Sequence, residues 1–596
     1  MIMSSPFTPK ARLSRRSLLT GAAVAASAIA LPSALTACSG GDKTKSPSGG
    51  SNLPKDLDKA KPVEFGAETE GILYPSPYKG PKARTLPKFA DGSTSFRVVV
   101  PQDATVVGDW NKNKFSQIME DTTGVKVQYD AVLVTTPDGS SDLTKINAMI
   151  ASGDLPDAFM SVGLSRDQIS LYGQQGLFTP LEDLIRVYAP GMREMYEQNP
   201  DIKQANLAQD GHIYNFGGVN DCFHCRSAGA RAFVNKKYLE KVGADMPTTT
   251  EEFRSLLQLF KKKNPSGKPG FLPFMGGDVT YDPVDLFMMG PFIYNPGAVA
   301  GQAYLKLNNG QVQFVANTDE WREGLRFMRQ LYDDGTLTKQ TFTIKGDDLT
   351  KLGNNGLIGV CRAFNWAAWI TMTPGDNQPW EDYIPMTPLK GPQGVQVASW
   401  TYGANPFTTS LVITKNCKNP EQLVQWADAQ LDLLRIQQSY RGDQPRDWRW
   451  AEKGELGETR KQAIYGPGTK SEGAPAGTTW NQYGIMYRSA DYRAAGVTDP
   501  TVPNLDLIAE KVYQPHAQPE DQFLPSLLFD PSVTAQRGDT EANLTKQVSI
   551  NMAKFATAEL DINSDTAWKN YTSTLDKMGL PAYVKQAQEA YDKRPK

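Results

Sequence analysis

The chain has 596 residues, 40% hydrophobic and 21% charged, enough to bury a large core and to build more than one lobe. A formal charge of −2 removes the electrostatic case for a nucleic-acid partner. A mean hydropathy of −0.44 argues against a membrane-embedded body.

The first residues read as an export address. Lys10, Arg12, Arg15 and Arg16 form a basic stretch with no acid before Asp42, and Ser14-Arg15-Arg16-Ser17-Leu18-Leu19 carries a twin arginine. The Ala-rich run from Leu18 to Leu35 is too small-residued for a membrane span. It leads into Leu35-Thr36-Ala37-Cys38, which resembles the bacterial lipobox, with Cys38 as the lipidated residue and 1–37 as the signal peptide. Its removal takes away four cations and no acid, so the formal charge goes from −2 to −6. Ser-, Gly-, Lys- and Pro-rich sequence then runs to Asp91, and 38–91 reads as a flexible tether.

Beyond the tether, Phe96–Pro101 predicts a buried strand and Asp109–Asp121 a helix stopped by Gly124. A second strand is expected over Val125–Val134, a helix over Asp142–Ser152 and a third strand over Ala158–Val162. Helices over Arg166–Gln175 and Leu181–Tyr188 follow. Strands alternating with helices predict a parallel sheet covered on both faces, with ligands beyond the carboxyl ends of its strands. Further on, Thr248 and Glu251 suggest a capping box before the apolar face of Phe253, Leu256, Leu257 and Phe260. A long helix is expected over Asp319–Asp333, strands over Leu357–Cys361 and Ser410–Thr414, and a helix over Pro420–Leu434. Three helical segments close the chain, near Glu541–Glu559, Thr566–Met578 and Ala582–Asp592.

Catalytic motifs are missing from the sequence. It has three histidines, His212, His224 and His516, and no H-E-x-x-H, G-x-S-x-G, P-loop or dinucleotide fingerprint, so no cofactor is expected. The local cluster Cys222-Phe223-His224-Cys225 suits a short-range disulfide formed outside the cytosol; a zinc site lacks a second ligand pair, and a redox motif would need to open a helix. Cys361 and Cys417 each follow a buried strand and either pair or stay as thiols. Trp366, Trp369, Trp400, Tyr402, Trp448, Trp450, Trp480 and Tyr483 lie in segments rich in Gly, Pro, Asn and Asp. Flat rings beside polar groups suit a cleft for ring-shaped polar ligands.

With these residues in view, the chain resembles the extracellular solute-binding lipoproteins of ABC importers. The likeness is to the large oligosaccharide subgroup related to alginate-oligosaccharide binding proteins and LplA-type lipoproteins. The residues that carry it are A-S-G-D-L-P-D-A-F at Ala151–Phe159, D-G-H-I-Y at Asp210–Tyr214 and the span Asn235–Phe253. Thr318–Gly335, Val412–Glu421, W-A-E-K-G-E-L-G at Trp450–Gly457 and Lys577–Tyr591 continue it. The resemblance implies a two-lobed α/β fold like that of periplasmic binding proteins, each lobe a doubly wound sheet, discontinuous in sequence. It divides the body into 92–220 (lobe one), 221–350 (lobe two), 351–420 (lobe one again) and 421–596 (lobe two and hinge-covering helices). It also implies a monomer held outside the cell membrane by the Cys38 lipid, with a carbohydrate ligand, a permease partner and no catalysis. Asp157, Tyr214, Phe223, Arg226, Trp366, Trp400, Tyr402 and Trp480 are the expected ligand contacts.

Members of this subgroup often carry an acidic calcium loop after the helix equivalent to Thr248–Lys263. Here that place reads Asn264-Pro265-Ser266-Gly267-Lys268-Pro269-Gly270, without the carboxylates, so calcium is not expected. Three other readings stay open: a receptor for a peptide or other polar solute, an exported polysaccharide-active enzyme, and a metal or redox protein centred on Cys222, His224 and Cys225.

Overall fold

Two sheets organise the protein in a computed structural model that describes residues 53–594, apart from 105, 135–141, 209, 278, 280–281, 300, 373–376, 403–406, 471–473 and 498–502. The twin arginine, the lipobox and Cys38 lie outside the described residues. In chain order the strands of these two sheets are β1 (Ser95–Pro101), β2 (Lys126–Val132), β3 (Ala158–Met160), β4 (Phe216–Asn220), β5 (Ala232–Asn235), β6 (Leu272–Met275), β7 (Ile358–Arg362), β8 (Tyr383–Pro385), β9 (Phe407–Ile413) and β10 (Tyr487–Arg488). The first sheet has the order β10-β4-β9-β3-β1-β2 and the second β8-β5-β7-β6.

Side chains alternate across the first sheet and build two cores. Val98 and Val100 of β1 face one side with Trp110, Phe115, Trp426 and Trp480, while Val99 faces the other with Phe159, Ile146 and Val412. The second sheet is sandwiched in the same way. Val234 and Val360 join Phe253, Phe260, Trp321 and Leu331 on one side, and Phe233 and Cys361 join Trp366, Trp369 and Tyr383 on the other. Each lobe is therefore doubly wound.

Neither sheet is all parallel, as strict alternation would have it. β9 runs antiparallel to both β3 and β4. It comes from the second lobe, so it enters at the carboxyl ends of its neighbours and must run against them.

The helices Arg166–Gln174 and Asp319–Asp333 match their expected spans within a residue, because Ser165 and Thr318 cap them with side-chain acceptors. Other boundaries move. Trp110 precedes its helix, which spans Lys114–Thr123, since Asn113 takes the N-cap position by accepting from the Phe115 N–H. The capping box uses Thr249 and Glu252, one residue later than expected. The single helix expected over Pro420–Leu434 is two, Pro420–Ala429 and Leu433–Arg441, because Asp432 accepts from the Leu434 and Arg435 N–H groups and starts the second.

Core membership corrects the expected division of the chain. Residues of 421–495, among them Leu423, Trp426, Ile436, Trp448, Trp480 and Tyr492, pack into the first lobe. β7 and Trp366 belong to the second lobe, so the return to the first begins only after Leu389. In the tail, Val548, Phe555, Trp568, Leu575 and Tyr583 pack into the core beside the second sheet. Residues 53–91, expected to be free tether, form a strap on the first lobe. Leu57 and Ala83 are buried, and the Arg84 guanidinium donates to both oxygens of Glu194 at 3.0 and 2.8 Å. Scattered apolar residues such as Leu57, Val63 and Leu86 are enough to anchor a segment whose overall composition is polar.

Among the described residues no helix is long and apolar enough to cross a membrane.

Candidate ligand site at the hinge

Three segments connect the lobes, and all three leave or enter at the carboxyl-end side of the sheets. The first runs from Asp221 to Arg231, the second includes residues 387–402 and the third residues 503–523. They meet in one small apolar cluster: Ala230 from the first, Ala398 and Trp400 from the second, Ala509 and Tyr513 from the third. Phe223, Tyr402 and Val512 pack against it. Polar contacts tie the same strands of chain together. The Thr401 N–H donates to the Arg226 carbonyl at 3.1 Å, and the Ala398 N–H to the His516 carbonyl at 2.8 Å. The Tyr402 hydroxyl donates to the Gln518 carbonyl at 2.6 Å.

The first crossing is stiffened covalently. Cys222 and Cys225 form a disulfide, the pairing the sequence favoured. His224 sits within the same group of side chains, but both sulfurs are taken up in bonding to each other. Cys361 and Cys417 are buried thiols in separate cores, one per lobe.

A polar cavity of about 490 Å³ opens where this crossing meets the first lobe. Its lining includes His224, Tyr440, Arg441, Glu458, Tyr465, Arg488, Arg493, Asn504 and Asp506. Short elements place these groups. Arg488 ends β10, Arg493 lies on the helix Ala490–Ala494 that Ser489 caps, and Arg441 ends the helix Leu433–Arg441. The Arg488 guanidinium lies 4.2 Å from the Tyr440 ring centre and that of Arg441 4.4 Å from Tyr465. Arg493 donates to Asn220 Oδ1 at 3.0 Å and approaches Cys222 Sγ and His224 Nε2 at 3.4 Å, which joins lobe to crossing. The His224 backbone N–H donates to Asp506 Oδ1 at 2.8 Å, which joins the first crossing to the third. Burial and the nearby Arg231 charge push the His224 imidazole down to about 4, leaving it neutral. Partial desolvation by the cavity wall and the adjacent Asp506 carboxylate push Glu458, whose side chain still reaches solvent, up to about 7. Rings, guanidiniums and carboxyl groups in one hollow can hold a polar ligand by stacking and by hydrogen bonds to its hydroxyls.

The eight expected ligand contacts divide evenly. Phe223, Arg226, Trp400 and Tyr402 meet at the hinge: Phe223 is 5.6 Å edge-on from Trp400, and Arg226 lies 5.6 Å over Phe223 and 3.7 Å from Asp221. The other four do not. Asp157 stands at the amino end of β3, where its carboxylate accepts from the Arg97 N–H at 2.8 Å. Tyr214 is buried against Gly173 and donates to Asp210 at 2.8 Å. Trp366 donates to the Tyr383 carbonyl at 2.9 Å within the second core. Trp480 donates to Ser116 Oγ at 2.9 Å, with Phe115 at 4.7 Å and Trp110 at 5.3 Å. Irregular backbone had suggested exposure for these two indoles, yet each has a core partner for its N–H.

Glu458, Arg488, Arg493 and Asp506 were missed. They are far apart in sequence, and the one local signal is a pair of arginines flanking a strand-to-helix turn at Arg488–Arg493. The loop after the helix Thr250–Lys263 is held by its own hydrogen bonds: Ser266 donates to Asn264 at 2.7 Å, and Asn264 to the Lys268 carbonyl at 2.9 Å.

Known proteins share this architecture. Fructooligosaccharide ABC transporter substrate-binding protein FusA of Streptococcus pneumoniae serotype 4 is 29% identical over 549 residues, 88% of this chain and 92% of that protein. The structure of S. pneumoniae FusA in complex with kestose superposes with a TM-score of 0.69 at 26% identity, covering 84% of this chain and 99% of that one. An alginate-binding protein, AlgQ2, shares the fold at 20% identity and a TM-score of 0.62, covering 86% of this chain and 100% of that one. Lipoprotein LipO of Bacillus subtilis strain 168 is 26% identical over 257 residues, 42% of this chain and 46% of its own length. The profile described as "Bacterial extracellular solute-binding protein" matches residues 87–432, more than half of the chain, and the protein belongs to that family.

Proposed function

We propose that the protein captures an oligosaccharide between its lobes and delivers it to the permease of an ABC importer. The observation that carries this reading is the convergence of three crossings on one apolar hinge cluster beside a cavity of rings, guanidiniums and carboxyls. Such a hinge lets two rigid lobes swing about a fixed floor, and the closed form is what a permease would recognise. The relation to FusA, described as a fructooligosaccharide receptor, supports the ligand class.

In this reading Phe223, Arg226 and Tyr402 form the floor, the cavity lined by Tyr440, Tyr465 and Arg488 holds part of the ligand, and Trp400 holds the hinge itself. Lobe one comprises about 92–220, 407–495 and the strap, and lobe two the remainder outside the crossings. The protein works as a monomer outside the cell membrane. It is exported by the twin-arginine route and anchored through a lipid on Cys38. In this reading the ligand is bound without turnover, which the description of FusA as a substrate-binding protein supports.

Calorimetry with a panel of fructo-, gluco- and manno-oligosaccharides tests this. Saturable binding without turnover of the same sugars is the expected result. Release of monosaccharide by the purified protein would instead make it an enzyme.

A further inference from the structure

Three guanidiniums reach the cavity beside the first crossing, and among the described residues none forms an ion pair. Arg488 is buried; it stacks on Tyr440, and its one side-chain acceptor is the neutral Gln482 Oε1 at 3.4 Å. Arg441 stacks on Tyr465. Among the described residues Arg493 has Asn220, Cys222 and His224 to donate to. The Nε atoms of all three are buried without a hydrogen-bond partner. Among the described residues none of the three lies within 4.0 Å of a carboxylate oxygen as an ion pair.

Burying a cation without its opposite is costly, and two half-buried cations in the same cavity add to the cost. The remaining groups of the cavity do not relieve it. Glu458 is exposed, and among the described residues neither it nor Asp506 lies within ion-pair distance of any of the three guanidiniums. His224 supplies no charge, and Arg231, whose guanidinium donates to the His224 carbonyl, adds a further cation behind it.

Stacking on tyrosine uses the face of a guanidinium and leaves its N–H edge free for a planar or tetrahedral oxyanion, which it can grip with two parallel hydrogen bonds. We propose that this cavity is an anion subsite, which takes a carboxylate, sulfate or phosphate group carried by the captured saccharide. The proposal rests on the capture of oligosaccharides argued above and narrows it to acidic ones.

The test is calorimetry on the purified protein with four probes: neutral kestose, a trigalacturonate, a sulfated chondroitin disaccharide and trehalose 6-phosphate. An acidic probe is expected to bind at least tenfold more tightly than kestose, and the probe that wins identifies which oxyanion the site takes. Arg488→Gln should weaken that binding at least tenfold. Arg493→Gln is the second variant, expected to do the same should Arg488→Gln not fold. Binding of kestose with no gain for any acidic probe overturns the anion subsite and leaves oligosaccharide capture standing. An acidic probe held equally well by the arginine variants overturns it too. Failure of all four probes, alongside failure of the wider neutral panel, removes both readings.

Discussion

Gln518 brackets Trp400. Its side-chain oxygen accepts from the Trp400 N–H at 2.7 Å and its side-chain nitrogen donates to the Trp400 carbonyl at 2.6 Å. One buried amide thus pairs with a stretch of backbone as a neighbouring strand would, and it ties the third crossing to the second. Because Trp400 also meets Phe223 of the first crossing, this pairing fixes the relative placement of all three.

Gln518→Ala leaves two buried backbone groups unpaired, at a cost of about 1–3 kcal/mol for each. Thermal unfolding should move down accordingly. Ligand affinity should fall as well, since the closed arrangement of the crossings loses its tie. A variant of unchanged affinity would mean that the Gln518 pairing stabilises the fold without setting the hinge.

Trp480 gives the opposite test. It is fully buried between Phe115, Trp110 and Trp426 and donates to Ser116. Trp480→Ala should cost about 3–5 kcal/mol of stability through the cavity it leaves. The milder Trp480→Phe should lower the melting temperature and leave ligand affinity within twofold, measured well below the transition. A tenfold loss of affinity in the milder variant would return this ring to the ligand site.

Trp480 also shows which parts of the protein are legible in sequence. The helix Asp319–Asp333 and the strand Ser95–Pro101 are visible because caps and apolar periodicity are local properties. Whether an aromatic ring in an irregular segment is exposed depends on partners far along the chain, such as Ser116, 364 residues away from Trp480. The same distance hides the cavity. Arg441, Glu458, Arg488 and Asp506 come together only because β10 pairs with β4 and the third crossing folds back over the first. The strap was hidden for a different reason: a few anchoring side chains outweigh a polar composition.

The disulfide closes a very short loop, so its entropic effect on the unfolded chain is small, about 2 kcal/mol. Replacing Cys222 and Cys225 together by Ser should therefore lower the melting temperature by only a few degrees. Affinity should fall by several-fold, because the crossing that carries Phe223 and His224 loses its covalent brace. Thiol titration of denatured protein lacking residues 1–38 should find two thiols before reduction, Cys361 and Cys417, and four after it. Four thiols in unreduced protein would remove the brace from the account.

His224 and Glu458 should give opposite pH dependences to the same cavity. For His224 the ordinary value is 6.5 and the folded one about 4, so between these the unfolded chain binds the proton that the folded one refuses. Its contribution to stability therefore rises with pH through that window. For Glu458 the ordinary value is 4.5 and the folded one about 7, so there the folded chain holds the extra proton. Its contribution is full at low pH and is lost as pH rises through 7. The two overlap between about 4.5 and 6.5 and offset one another in the native protein. Taken as a difference from the native protein, the melting temperature of Glu458→Gln should rise with pH across 4.5–7, and that of His224→Gln should fall with pH across 4–6.5. Both groups touch Asp506, by the His224 N–H on one side and the Glu458 carboxyl on the other, so Asp506→Asn should shift both profiles at once. Profiles that stay parallel to the native one in all three variants would mean that the cavity shifts neither group.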